Sequence, residues 1–349
     1  MAKKAKATEE DSNKIGLSDI IKKYGNVVST GTQLFEKKKN LVVQSISPCW
    51  DIALNGGILE GSWTVISGNP KTGKSSLSLQ IAANAQRDGR QVIYIDAEAR
   101  LKNYNMVGVE GLDLEKIQIV HSDDDEQPLS AEDFLEICSS LIKMPSNVGA
   151  VCIIDSTSSL VPRGELDAET SGSLRANLPK TLSHWVKKTA QTVTSKKIIM
   201  ILITHYITNT SGYGKVKIPD CGVMVQYQAD TRIDFNKTDA WEEDDKKVGI
   251  IVNAEIACSS MGASGKEVRS YIRFGKGIDS IKETLELAES FGLIDKAGAW
   301  YKLDFLEEYP EHKDKSELKF QGQVRLYEFF DKNKDMLVIL NKELKKILE

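Results

Sequence analysis

Gly68-Asn69-Pro70-Lys71-Thr72-Gly73-Lys74-Ser75 is the stretch that decides how this chain is read. It has the pattern GxxxxGK[ST], which a chain of 349 residues meets by chance in roughly one case per hundred. An apolar run, Trp63-Thr-Val-Ile-Ser67, leads into it, and Leu77, Leu79, Ile81 and Ala82 continue from it at helical spacing. Strand, glycine turn and helix start, in that order, make a cradle for phosphate. Gly68 and Gly73 permit the turn that aims backbone N–H groups at phosphate oxygens, and the helix N-terminus adds a favourable dipole. Lys74 is then placed to reach the β- and γ-phosphates, and Ser75 to offer its hydroxyl to Mg²⁺. The segment from Gly68 through Ser76, with Asn69, Pro70, Lys71 and Thr72 in the turn, is read as a site for ATP and Mg²⁺.

Further runs extend the pattern on both sides. Residues 92–95, 117–120, 150–154 and 198–203 are short, β-branched and apolar on both faces, as 63–67 is. Strands of that kind belong in a parallel sheet covered by helices, and the helical intervals between them imply βαβ crossovers. Residues 229–235, 249–252 and 268–274 alternate more and are expected to be antiparallel edge strands. A phosphate site of this kind needs a carboxylate beside the metal, and Asp155 closes the run at 150–154. It also needs a group to polarise water. Asp96 and Glu98 follow the run at 92–95, on one side if the strand extends that far, and Glu98 is the candidate.

Composition narrows the class. The chain is 41% hydrophobic and 28% charged, with a net charge of −4, so bulk charge does not advertise nucleic-acid binding and any such site must be a local surface. No apolar run reaches membrane-spanning length. The basic start, Met1-Ala2-Lys3-Lys4, is followed by polar residues and is not read as a secretory signal. Five scattered cysteines show no metal-ligand spacing; Cys138 and Cys152 lie in apolar segments and are expected to be buried thiols. A cytoplasmic location is expected. Residues 1–45 read as a tail, a short amphipathic helix near 15–24 and a linker. Residues 46–278 read as the nucleotide-binding core, and 279–349 as a small α+β domain ending in one helix over 324–348.

At this extent the chain resembles the RecA family of recombinases. Asp51-Ile-Ala-Leu-Asn-Gly-Gly57, Ile95-Asp-Ala-Glu98, Ile154-Asp-Ser156 with Leu160-Val-Pro162, Arg232-Ile-Asp234, Gly275-Lys-Gly-Ile278 and Lys296-Ala-Gly-Ala-Trp-Tyr301 carry the likeness, in order and at matching spacing. The resemblance implies a RecA-like P-loop ATPase core with a mostly parallel sheet, a short N-terminal helical arm and a small C-terminal domain. It implies a homo-oligomeric helical filament on single-stranded DNA that pairs and exchanges strands with homologous duplex, coupled to ATP hydrolysis. Single-strand-binding and loader proteins are its expected helpers. By position Glu98 is the hydrolytic glutamate, Tyr104 the adenine-stacking residue and Tyr227 an aromatic at the subunit interface, the alternative being a core tyrosine.

His205 stands where the family's γ-phosphate-sensing glutamine stands, which resembles the phage-type (UvsX-like) branch and implies the cytoplasm of a bacterial host. Two segments match the DNA loops. One, from Arg163 to Arg175, is recommended only by its arginines. The other, between His205 and Ala229, offers Tyr213, Lys215 and Lys217 beside glycines, a composition suited to single strands. One departure stands out. Where the family carries two interface lysines, this chain reads Ala257-Cys-Ser-Ser-Met261, with no basic residue before Lys266. Phosphoryl transfer normally uses such cations, so slow hydrolysis is one expectation. Two alternatives to a recombinase therefore stay open: a RecA-core DNA motor such as a helicase, and an ATP-gated DNA-coating filament with little turnover.

Overall fold

The computed structural model describes residues 17–25, 27–122, 128–144, 146, 148–166, 177–209, 217–316 and 318–348. It divides into two units, residues 1–42 and 43–349.

In the first unit, α1 (Leu17–Tyr24) and α2 (Gly31–Lys38) are each two turns long. A capping box starts α2, with Thr30 Oγ1 accepting from Gln33 N and Gln33 Oε1 from Thr30 N. The sequence gives no strong signal for this second helix beyond that cap. Leu17, Ile21, Tyr24, Leu34 and Phe35 are all exposed. Helices this short gain little from backbone propensity alone and depend on an apolar surface to pack against.

The second unit is built on a nine-stranded sheet. Its strands, in chain order, are β1 (Trp63–Gly68), β2 (Gln91–Asp96), β3 (Ile117–Val120), β4 (Ala150–Asp155), β5 (Ile199–Thr204), β6 (Thr231–Glu243), β7 (Lys246–Ser259), β8 (Lys266–Arg273) and β9 (Gly277–Ile278). Spatially the order is β9-β8-β7-β6-β1-β5-β4-β2-β3. From β6 to β3 every neighbouring pair is parallel; from β6 to β9 every pair is antiparallel. The fold is therefore α/β with a mixed, mostly parallel sheet. β6 is not an edge strand as its alternation suggests. It pairs with β1 on one side and β7 on the other, and its polar residues lie mainly in the part that outruns β1.

Period-2 alternation splits the apolar side chains between two cores. Ile66, Tyr94, Val151, Ile153 and Ile201 face one way, toward α3 (Pro48–Leu54) and α4 (Lys74–Arg87). Trp63, Val65, Ile93, Ile154 and Leu202 face the other, toward α5 (Ala131–Leu141) and α6 (Leu178–Ser195). Trp50 stacks on Phe235 in the first core, with ring centroids 5.7 Å apart, and Trp63 meets Trp185 edge-on in the second at 5.5 Å. Cys138 and Cys152 are free, buried thiols in the second core, as expected.

A third cluster, around Leu285, Tyr301, Leu306, Phe330 and Leu340, lies in the C-terminal segment. It is enclosed by α7 (Ser280–Ser290), α8 (Gln323–Lys332), α9 (Lys334–Leu348) and a three-stranded sheet of Asp295–Ala297, Trp300–Lys302 and Lys319–Gln321. The single terminal helix expected over 324–348 is broken at Asn333, whose Nδ2 donates to Phe329 O at 2.7 Å. The Asn333 amide donates to the same carbonyl at 2.9 Å, so backbone and side chain together close the end of α8. No helix among the described residues is long and apolar enough to cross a membrane.

Candidate functional site

All the strands that carry candidate residues end at one rim of the sheet. β1 is flanked by β6 and β5, whereas β2, its successor in the chain, lies beyond β5 and β4. The crevice at the C-terminal end of β1 is thus the kind of switch point where open α/β sheets bind ligands.

The turn after β1 leaves no room for larger side chains. A Cβ on Gly68 would stand 2.7 Å from Phe235 Cβ, and one on Gly73 would stand 2.3 Å from Ile272 Cδ1. Gly73 also caps α4 at φ +100°, a conformation that costs glycine little. Thr72 Oγ1 donates to Asn69 O at 2.9 Å and braces the turn. Lys74 is buried, and its ammonium donates to Gly68 O at 3.0 Å and Asn69 O at 2.7 Å. Burial lowers the Lys74 pKa, against the pull of Asp155 and Glu98.

Ser75 lies in the first turn of α4, and its Oγ donates to Asp155 Oδ2 at 2.6 Å. Tyr94 OH donates to the same oxygen at 2.6 Å. A serine hydroxyl beside a buried carboxylate is a donor set suited to a hard divalent cation such as Mg²⁺. With the glycine cradle and Lys74, the residues present fit a nucleoside triphosphate and its metal. No cluster of three or more His, Cys, Asp and Glu that would suit another metal occurs among the described residues.

Asp96 and Glu98 do not share a side. β2 stops at Asp96, and the amides of Ala97 and Glu98 both donate to Asp155 O, at 2.9 and 3.3 Å. The chain turns there, so strand alternation no longer applies. Asp96 accepts from the Arg100 and Leu101 amides at 3.2 and 3.0 Å, which makes it a turn residue. Glu98 points elsewhere. Its Oε1 accepts from Ser156 Oγ at 2.8 Å and meets His205 Nε2 in a short hydrogen bond. Burial pushes the Glu98 carboxyl up, but the hydrogen bonds from His205 and Ser156 outweigh it and hold the pKa below the usual range.

His205 follows β5 directly. Its amide donates to Ser158 Oγ at 2.9 Å, and Thr157 Oγ1 donates to Ile203 O at 3.1 Å, so the hydroxyl run after Asp155 fixes the end of β5. His205 Nδ1 is buried, with no hydrogen-bond partner among the described residues. Beyond His205 a two-stranded hairpin pairs Tyr206–Thr208 with Lys217–Pro219. Asp220 N donates back to His205 O at 2.8 Å. Lys217 Nζ reaches the P-loop and donates to Asn69 Oδ1 at 3.3 Å.

The remaining candidates are scattered. Arg163 bonds Asp133 Oδ1 at 2.6 Å near the start of α5. Tyr104 is 66% exposed in the short helix Asn103–Val107, and Tyr227 is 81% exposed in Val223–Gln228, so it is no core tyrosine. Arg175, Tyr213 and Lys215 lie outside the described residues. Sequence reasoning missed Tyr94, hidden in an apolar run, and the hydroxyl run Ser156-Thr157-Ser158, whose four consecutive hydroxyls with Ser159 were its one visible signal.

Comparison with known proteins agrees with this geometry. A family model described as the RecA N-terminal domain matches residues 12–279. The chain is 28% identical over 327 residues to the mitochondrial DNA repair protein recA homolog of Dictyostelium discoideum, covering 92% of this chain and 70% of that one. It is 27% identical over 299 residues to protein RecA of Caulobacter sp. (strain K31), covering 85% of this chain and 78% of that one. A match that takes in the phosphate turn, every strand of the large sheet and the hairpin behind His205 places this chain in the RecA family.

Proposed function

We propose that this protein is an ATP-dependent homologous recombinase, which coats single-stranded DNA as a helical filament and exchanges strands with homologous duplex. The reading rests most on His205. That residue touches Glu98 at the candidate nucleotide site and runs directly into the hairpin strand Tyr206–Thr208, which leads to the segment proposed to contact DNA. A group beside the scissile phosphate is thereby joined, through one strand end, to the candidate DNA contact.

In this reading Lys74 holds the β- and γ-phosphates of ATP, and Ser75 and Asp155 hold Mg²⁺. Held there, Mg²⁺ would supply charge neutralisation for the phosphates. Glu98, kept ionised, orients and polarises the attacking water. His205 supplies hydrogen bonding toward the γ-phosphate and passes its presence to the hairpin. Tyr104 offers a ring to the adenine, and Arg163, Arg175, Tyr213 and Lys215 contact DNA. Tyr227 and the exposed apolar side chains of α1 and α2 meet neighbouring subunits. The histidine in place of glutamine favours the phage-type branch.

ATP hydrolysis with and without single-stranded DNA tests the proposal. DNA-stimulated turnover that Lys74→Ala abolishes is the expected result. Turnover that DNA does not change, despite ATP binding, would favour a coating filament with little hydrolysis.

A further inference from the structure

The large sheet leaves one requirement of the proposed chemistry open. Charge in a phosphoryl-transfer transition state is spread over the equatorial oxygens, and cations aimed at it lower the barrier. Lys74 is one such cation. The segment around Ser259 cannot give this subunit's own nucleotide another. Ser259 pairs with Thr231, and Thr231 with Thr64, near the start of β1 and the far end of the sheet from the phosphate turn. Lys266 is also engaged away from the turn, its ammonium on Asn55 Oδ1 at 2.7 Å.

Among the described residues, Lys217 is a cation from outside the turn that does reach it. Its strand is registered to the site at two points, through the pairing of Thr208 with Lys217 and the bond from Asp220 N to His205 O. Its ammonium sits on Asn69 Oδ1 while that of Lys74 sits on Asn69 O. Two ammonium groups thus converge on one residue of the phosphate turn. Like charges held close repel, and an anion placed between them relieves that repulsion. The Lys217 bond is long, to a neutral amide, on an exposed side chain, so exchanging it for a charged phosphate oxygen costs little and gains a charge-assisted bond.

We propose that Lys217 pairs with the terminal phosphate of bound nucleoside triphosphate from within the same subunit, and so distinguishes triphosphate from diphosphate. Its place on the returning strand of the hairpin makes it a second link, besides His205, between nucleotide state and the loop at 209–216. Its primary partner is then the nucleotide rather than DNA. This inference rests on the P-loop being an ATP site.

Isothermal titration of the full-length protein with a non-hydrolysable ATP analogue and with ADP, each with Mg²⁺ and without DNA, tests it. Lys217→Gln is expected to weaken the triphosphate analogue roughly tenfold and to leave ADP affinity within about twofold, with Lys217→Arg retaining most of the preference. Unchanged circular dichroism and melting of the variants confirm folding. Equal losses for both nucleotides, or no loss for either, would overturn the role of Lys217 while leaving the ATP site standing. So would a loss confined to single-stranded DNA affinity, measured without nucleotide. A wild-type protein that binds neither nucleotide would overturn the functional reading, and the role of Lys217 with it.

Discussion

At the scale of single residues, the Glu98–His205 contact joins two positions 107 residues apart in the chain. Neither residue advertises the contact in the sequence. Each was a site candidate on its own, but their meeting depends on β4 lying between β2 and β5. His205 keeps Glu98 ionised by hydrogen bonding, and its own Nδ1 is left without a partner in the described structure. His205→Ala is therefore expected to bind ATP within about twofold of wild type, because Lys74 and the turn are untouched. It is expected to lose the dependence of single-stranded DNA affinity on nucleotide. Fluorescence anisotropy of labelled oligonucleotide, with a non-hydrolysable ATP analogue and with ADP, reads this out. Unchanged coupling would show that the signal to the hairpin travels by another route.

At the scale of elements, the junction between α7 and the sheet carries a buried acid with no part in the nucleotide site. Glu283 on α7 accepts from Ser270 Oγ on β8 and from Cys49 N of α3 at 3.1 Å, tying three elements together. Burial raises its pKa from 4.5 to about 7, with Asp51 adding to the shift against the hydrogen bonds. The folded pKa lies above the unfolded one, so the stabilisation is complete below the unfolded value and is lost as pH rises through the folded value. The window runs from 4.5 to about 7, and the change across it is on the order of 3 kcal/mol. Asp51, raised by its own burial to about 6, acts in the same direction. Glu283→Gln keeps the shape without the charge. The fall in melting temperature between about pH 5 and about pH 8 is expected to shrink in this variant. An equal fall in both proteins would show that Glu283 is not the group that titrates.

Elements also show what sequence patterning can and cannot reveal. The strands of the parallel half were legible because burial on both faces leaves near-continuous apolar runs, as at Ala150–Asp155. β6 and β7 run to 13 and 14 residues, well beyond the alternation that marks them, because the far part of β6 is largely exposed, much of β7 is only half-buried, and bulges interrupt their pairing. The break at Asn333 was hidden because apolar spacing continues through it. The P-loop was legible as a contiguous motif. The parts that Tyr94, Ser156 and Lys217 play around Asp155, Glu98 and Asn69 were not, since tertiary pairing alone brings them there.

At the scale of the whole molecule, the described chain presents several surfaces suited to contact with copies of itself. Tyr227 is largely exposed, as are the apolar side chains of α1 and α2. Large apolar groups left on the surface mark interaction sites when they cluster, and short helices need a surface to hold them. The proposed filament would give these groups partners. In the proposed function ATP sensing falls to Lys74, Glu98, His205 and Lys217 within one subunit, DNA pairing falls to the assembly, and strand exchange is the outcome. The most direct measurement is joint-molecule formation between a single-stranded oligonucleotide and homologous supercoiled duplex, with ATP and Mg²⁺, for wild type and Lys74→Ala. Joint molecules that require homology and ATP, and that vanish in Lys74→Ala, are the expected result. ATP-dependent DNA binding without joint molecules, under conditions where the filament forms, would contradict it.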